Sequence, residues 1–213
     1  SFTPTPGGAP VNVAIGLARL GIDTGFVGKV GADSFGSRLL KLLNDEGVDT
    51  THWLPVDDSQ TTLSLVATSS PVHQDFVLFR GADILLRPEH LDRDYITRAR
   101  VLTYGSVSLS GGVCDAAIQA ARWAREEGVL VAFDTNYRPA VWPGEAIARD
   151  AIMEGLRCAD IAKLNAVELK MLVGTDDLQA GCRRILDLGV RLCLVTLGAD
   201  GAWFDDGLSL IHI

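Results

Sequence analysis

Two glycines and an amide stand close together near the start of this chain, in Gly7-Gly8-Ala9-Pro10-Val11-Asn12-Val13-Ala14. Gly7 and Gly8 remove side-chain bulk, so a ligand can approach the backbone there. The apolar positions 11, 13, 15, 17 and 20 predict a helix over 11–20, closed by Gly21. The opening amides of such a helix lack intrahelical partners, which suits hydroxyls and anions. Asn12 adds a side chain that both donates and accepts, as a ligand hydroxyl requires.

Three more polar clusters follow predicted strands. Asp134-Thr135-Asn136-Tyr137-Arg138-Pro139 comes after an apolar strand at 129–133, ahead of a Pro-Ala-Val-Trp-Pro loop. In open α/β sheets the carboxyl ends of strands are where ligands bind. An Asx-type turn made by Asp134 or Asn136 explains the same residues without a ligand. Lys163-Leu164-Asn165-Ala166-Val167-Glu168 ends a strand and opens a helix. Asn165 and Glu168 are three apart, so they face one way and form a near variant of a capping box. A helix start is also an anion site, and one carboxylate is enough for a magnesium ion that keeps its waters. Thr196-Leu197-Gly198-Ala199-Asp200-Gly201 ends a further strand and reads on its own as a β-turn.

The elements that position these clusters alternate. Strand 24–30 and helix 34–46 come first, and a β-rich stretch follows, with strands at 61–68 and 75–79 around Ser69-Ser70-Pro71. Helix 89–98, strand 100–105, helix 113–127, strand 129–133, helix 145–157, strand 160–164, helices 165–173 and 177–188 and strand 191–196 come next. Short β segments flank Gly201 and Gly207. This rhythm predicts an α/β fold: a mostly parallel sheet with helices on both faces. The insertion at 52–80 breaks the rhythm and reads as a small β-rich lid on a core made of 1–51 and 81–213.

Composition narrows the function. With 213 residues, 47% hydrophobic and 22% charged, the chain is an ordinary globular sequence. A net charge of −8 without a basic run argues against nucleic acid or an anionic membrane as the main partner. No apolar run is long enough to span a bilayer, and Ser-Phe-Thr-Pro-Thr-Pro at the start is not a signal peptide. Four cysteines, at 114, 158, 182 and 193, have no C-x-x-C spacing, so reduced thiols and a cytoplasmic location are expected. The histidines at 52, 73, 90 and 212 have no metal-ligand spacing. Gly28-x-x-Gly31-x-Asp33-x-x-Gly36 lacks the Lys-Ser/Thr of a P-loop and the G-x-G-x-x-G of a dinucleotide site. It reads instead as a strand-to-helix turn with Asp33 or Ser34 as N-cap.

The GGAP-x-N-x-A segment resembles the first signature of the ribokinase-like carbohydrate kinase family, in the form used by its fructokinases. The D-x-N-x-R…W stretch ending at Trp142, the N-x-x-E at 165–168 and the T-x-G-x-x-G at 196–201 are similar to later family motifs and follow in family order. The resemblance implies transfer of the γ-phosphoryl group of ATP to a sugar hydroxyl, with Mg²⁺. It assigns Gly7, Gly8, Asn12, Asn136 and Arg138 to the sugar or transferred phosphate, with Arg80, which ends a Phe-Val-Leu-Phe-Arg-Gly-Ala-Asp run, as a further substrate contact. It assigns Asn165, Thr196, Gly198 and Gly201 to ATP, and Glu168 to the metal. The lid hairpin also offers an exposed edge for pairing, so a homodimer through the lid is expected.

One part is not found. The family takes its catalytic base from G-A-G-D at a helix start, and here Gly-Ala-Asp occurs at 31–33, 81–83 and 198–200 but never as G-A-G-D. No residue is therefore assigned as base. The expectation is a fructokinase-like sequence that lacks family segments at both ends and is inactive by itself. A 2-keto-3-deoxygluconate kinase shares the D-x-N-x-R…W stretch, and a non-catalytic sugar- or nucleotide-binding domain is the alternative outside enzymes. A generic NAD-binding domain is disfavoured by the absent fingerprint.

Overall fold

A computed structural model describes residues 5–70 and 73–212, and it divides into two compact units, 1–91 and 92–213. Pro71, in the predicted hairpin turn, and Ser1 to Pro4 lie outside the described residues.

In the first unit, helix α1 spans Ala9–Arg19, strand β1 Gly28–Gly31, helix α2 Ser34–Asp45 and strand β2 Trp53–Val56. Gly8 stands at the mouth of α1 with φ +105°, a value that favours glycine, and Pro10 sits in the first turn, where its missing N–H costs nothing. Asp33 caps α2 through its side chain, as its position predicts. Strand β2 pairs in parallel with β1, Gly28 opposite Trp53 and Gly31 opposite Val56. The stretch 52–80 therefore divides: its first strand joins β1, and only β3 (Leu63–Ser70) and β4 (His73–Phe79) form the antiparallel hairpin. Val11, Ala14, Val30, Leu43, Val48 and Trp53 make the core of this unit. Phe26 packs on Trp53 with ring centroids 4.9 Å apart.

The predicted helix over 89–98 is two pieces. A single 3-10 turn covers Pro88–His90, and helix α3 covers Arg93–Thr97. Leu91 closes the turn, and Asp92 caps α3, accepting from the Tyr95 N–H at 3.0 Å.

The second unit continues with β5 (Val101–Gly105), α4 (Cys114–Glu126), β6 (Leu130–Asp134), α5 (Glu145–Arg157), β7 (Ile161–Asn165), α6 (Ala166–Val173), α7 (Leu178–Leu186), β8 (Leu192–Thr196), β9 (Ala202–Asp205) and β10 (Leu210–His212). The sheet order is β10-β9-β8-β7-β6-β5. Strands β5 to β8 are parallel, and β9 and β10 add to the β8 edge antiparallel. Strands β7 and β8 alternate buried and half-buried residues with none exposed, as strands covered on both faces do. Val131, Phe133, Ile152, Leu156, Leu164, Leu169, Leu172, Ile185 and Val195 fill the core. Tyr104 donates its hydroxyl to the Gly155 carbonyl at 2.8 Å, and burial pushes its ionisation up.

Candidate functional site

In the first unit the helix mouth is open. A side chain at Gly7 would meet nothing within 4 Å, and Gly8 is nearly as free. The Asn12 amide N–H closes the first helical turn onto the Gly8 carbonyl at 3.0 Å, and its side chain is exposed. Asn12 also borders a groove of about 350 Å³ between α1 and α2, with Gly16, Leu42 and the Arg19–Glu46 ion pair.

Arg80 is not a free cation. Its Nε donates to Asp83 Oδ2 at 2.6 Å, and its guanidinium side chain is mostly covered. Asp83 also accepts the Thr62 hydroxyl, and the Gly81 N–H donates to Thr62 Oγ1 at 2.9 Å. One residue earlier, Thr61 donates both its N–H and its hydroxyl to Asp33, each at 2.7 Å. Burial pushes the Asp33 carboxyl up, but the amides of Thr61, Gly36 and Phe35 and the Thr61 hydroxyl outweigh it. The group is held below the ordinary aspartate value. Two of the three Gly-Ala-Asp runs thus grip the root of the hairpin.

In the second unit the carboxyl ends of adjacent strands bring the sequence clusters into line. Asp134 ends β6 opposite Lys163 of β7, and Asn165 ends β7 opposite Thr196 of β8. Asn165 caps α6: its Oδ1 accepts from the Glu168 N–H at 2.9 Å, and Glu168 Oε2 accepts from the Asn165 N–H at 2.8 Å. The near-variant capping box is therefore formed in full. Glu168 Oε1 accepts from the Tyr137 N–H at 2.7 Å, so one buried carboxylate joins the 134–138 loop to the start of α6.

That loop carries its own tension. Asn136 has φ +32°, the one non-glycine among the described residues in the left-handed region, and its carbonyl accepts from Ser106 Oγ at 3.3 Å. Thr135 is fully buried, and among the described residues its hydroxyl has no hydrogen-bond partner. Arg138 is exposed, and among the described residues it donates only to the Tyr137 carbonyl, at 3.1 Å. After β8, Gly198 (φ +65°) and Gly201 (φ +94°) turn the chain, with Leu197 N–H on the Gly201 carbonyl at 2.8 Å. Thr196 Oγ1 lies 3.4 Å from the Leu164 carbonyl.

The third Gly-Ala-Asp run forms a 3-10 turn before β9 and opens no α-helix. The structure brings Asn136, Arg138, Asn165, Glu168, Thr196, Gly198 and Gly201 to one edge of one sheet, while Gly7, Gly8, Asn12 and Arg80 belong to the other unit. The Asp134–Lys163 pair, 3.1 Å apart, was not singled out by sequence. Only strand register joins these residues, so no spacing rule finds them.

The profile described as "pfkB family carbohydrate kinase" matches residues 1–213. The chain belongs to the pfkB carbohydrate kinase family. Fructokinase-1 of Zea mays is 38% identical over 205 residues, covering 94% of this chain and 64% of the maize protein. Fructokinase-1 of Oryza sativa is 39% identical with the same coverage. The chain thus spans a little under two thirds of these pfkB relatives. Among solved structures, the PfkB protein of Polaromonas sp. JS666 superposes with a TM-score of 0.93 at 29% identity, covering all of this chain and 74% of that one. Fructokinase from Vibrio cholerae O395, solved with fructose, ADP and calcium ion bound, superposes with a TM-score of 0.90 at 30% identity, covering 99% of this chain and 69% of that one.

Proposed function

We propose that the protein to which this chain belongs transfers the γ-phosphoryl group of ATP to a hydroxyl of fructose, giving fructose 6-phosphate. The observation that carries the reading is the alignment of Asp134, Asn165 and Thr196 at the carboxyl ends of neighbouring parallel strands. The fructokinase relatives support fructose as acceptor. Gly7, Gly8 and Asn12 hold the sugar, because an open helix mouth with an exposed amide can both donate to and accept from its hydroxyls. Arg138 meets the transferred phosphate. Asn165, Thr196, Gly198 and Gly201 hold the nucleotide through backbone N–H groups and short polar side chains.

The donor set fits magnesium that arrives with the nucleotide. Among the described residues no group of three or more His, Cys, Asp and Glu could hold a metal ion. Glu168 is a single carboxylate whose two oxygens each already accept one backbone N–H. Its remaining lone pairs suit waters of a hydrated cation. Magnesium so placed neutralises phosphate charge. The β3–β4 hairpin shields the sugar from water, which competes as acceptor. Its exposed Leu65, Val66, Val77 and Phe79 support a homodimer through the hairpins. Free cysteines at 114, 158, 182 and 193 support a reducing, cytoplasmic setting.

The test is ATP-dependent phosphorylation by the full-length protein, followed by ADP release, with fructose, ribose and 2-keto-3-deoxygluconate as acceptors. Fructose should give the highest kcat/KM. A preference for 2-keto-3-deoxygluconate would select the second reading, which the Asn136–Arg138…Trp142 stretch also favours.

A further inference from the structure

We infer that Ser106 is a positioning residue for phosphoryl transfer: its hydroxyl holds Asn136 in the left-handed conformation and so sets where Arg138 stands. Ser106 lies outside every motif read from the sequence. The proposal rests on the kinase reading above, in which Arg138 meets the transferred phosphate. A left-handed backbone at a residue other than glycine costs energy and persists only where its surroundings hold it. Asn136, with φ +32°, is such a residue. Asparagine tolerates the conformation better than most side chains do, but tolerance alone does not fix a turn.

Three successive residues of the turn are gripped from three elements. The Thr135 N–H donates to the Lys163 carbonyl of β7 at 2.9 Å. The Tyr137 N–H donates to Glu168 of α6 at 2.7 Å. Between them, the Asn136 carbonyl accepts the Ser106 hydroxyl at 3.3 Å. The first two anchors act on the neighbours of Asn136, from the β7 side of β6. Ser106 acts on Asn136 itself, and it comes from β5, on the opposite flank of β6.

The end of β5 is shaped for this approach. Gly105 pairs with Asp134, and a Cβ at Gly105 would fall 2.9 Å from the Asp134 carbonyl oxygen. A side chain there would push the two strand ends apart. Ser106 follows directly and is fully buried at the start of a 3-10 turn, Ser106–Leu109. A buried hydroxyl has no water as a substitute partner, so loss of its bond to Asn136 is not made good by solvent. Two residues beyond Asn136, Arg138 is exposed, and among the described residues it has no acidic partner. The turn, not a side-chain contact, therefore fixes the place from which its guanidinium reaches. Transfer of a phosphoryl group depends on such placement.

The test is a double-mutant cycle in the full-length protein, with Ser106→Ala, Arg138→Ala and the two combined. Turnover is followed by transfer of radiolabelled γ-phosphate from ATP to fructose. Ser106→Ala should lower kcat about 5- to 50-fold and leave the KM for fructose and for ATP within about twofold. In the Arg138→Ala background the same change should cost less than about twofold, because Ser106 acts through Arg138. Gly105→Ala, which disturbs the same turn by another route, should lower kcat in the parent and add little to Arg138→Ala. Ser110→Ala is the control for a lost buried hydroxyl. Ser110 donates to the Val107 carbonyl at 2.9 Å, away from the turn, and its variant should keep kcat within about twofold. A parent-like kcat in Ser106→Ala would overturn the proposal. So would an undiminished loss in the Arg138→Ala background, or an equal loss in Ser110→Ala. If the parent protein phosphorylates no sugar, the kinase reading fails and this proposal fails with it. If the parent is active and the Ser106 and Arg138 effects are independent, the kinase reading stands and only the role of Ser106 falls.

Discussion

The Asp33 carboxylate takes two hydrogen bonds from Thr61, one from its N–H and one from its hydroxyl, each at 2.7 Å. The same carboxylate caps α2 through the amides of Phe35 and Gly36. One side chain thus ties a helix start to the root of a hairpin 28 residues away.

Thr61→Val should destabilise the fold by about 1–3 kcal/mol, since it leaves a charged acceptor short of one donor. Urea denaturation of the purified protein measures this. A change below about 0.5 kcal/mol would mean that water replaces the hydroxyl without loss.

The pH dependence has a defined sign. Asp33 titrates lower in the folded state than in the unfolded chain. Its contribution is therefore fully present above the ordinary aspartate value and is lost as pH falls through the depressed folded value. Denaturation midpoints between about pH 5 and 2 should show an acid limb that Asp33→Asn makes shallower. An identical limb in the variant would assign acid lability to other carboxylates, of which Glu46 and Asp206 are also held low, by Arg19 and by the Ser209 and Leu208 amides.

Glu168→Gln keeps the shape of the capping box but leaves only one acceptor oxygen for the N–H groups of Asn165 and Tyr137. Stability should fall by about 1–3 kcal/mol. If the full-length protein is the kinase proposed above, the Mg²⁺ concentration for its half-maximal activity should rise. Loss of stability with an unchanged Mg²⁺ requirement would limit Glu168 to holding the 134–138 loop.

Asn12→Ala should raise the KM for sugar far more than that for ATP. The residue is exposed, so stability should change by no more than about 0.5 kcal/mol. Steady-state kinetics with each substrate varied in turn provides the measurement, and equal effects on both constants would make Asn12 structural.

Much of the fold is legible because local signals agree. Asp33 caps α2, and helix α5 begins at Glu145 and ends at Arg157, as its apolar spacing indicates. The departures have physical causes. Strand β2 is four residues long and includes Pro55, so it carries little strand signal. The 89–98 segment breaks because Asp92 competes for backbone N–H groups as a cap. The edge that carries Asn165, Thr196 and Glu168 is legible for the same reason as the helices, because each cluster directly follows its strand. Pairings fixed by register or by tertiary approach are not legible. Asp134 with Lys163 and Arg80 with Asp83 involve ordinary residue types, and Arg80 is drawn into an ion pair that its position at a strand end does not announce.

Gly31, Gly36 and Gly81 crowd the chain at 59–61 so closely that a Cβ at Gly31 would fall 2.6 Å from Ser59 O, and one at Gly81 would fall on the Gln60 carbonyl. Gly36 likewise leaves no room beside the Gly31 carbonyl. A slip of one residue would turn every side chain of β3 to the opposite face. The hairpin is thus indexed from its base, like a key cut to its lock.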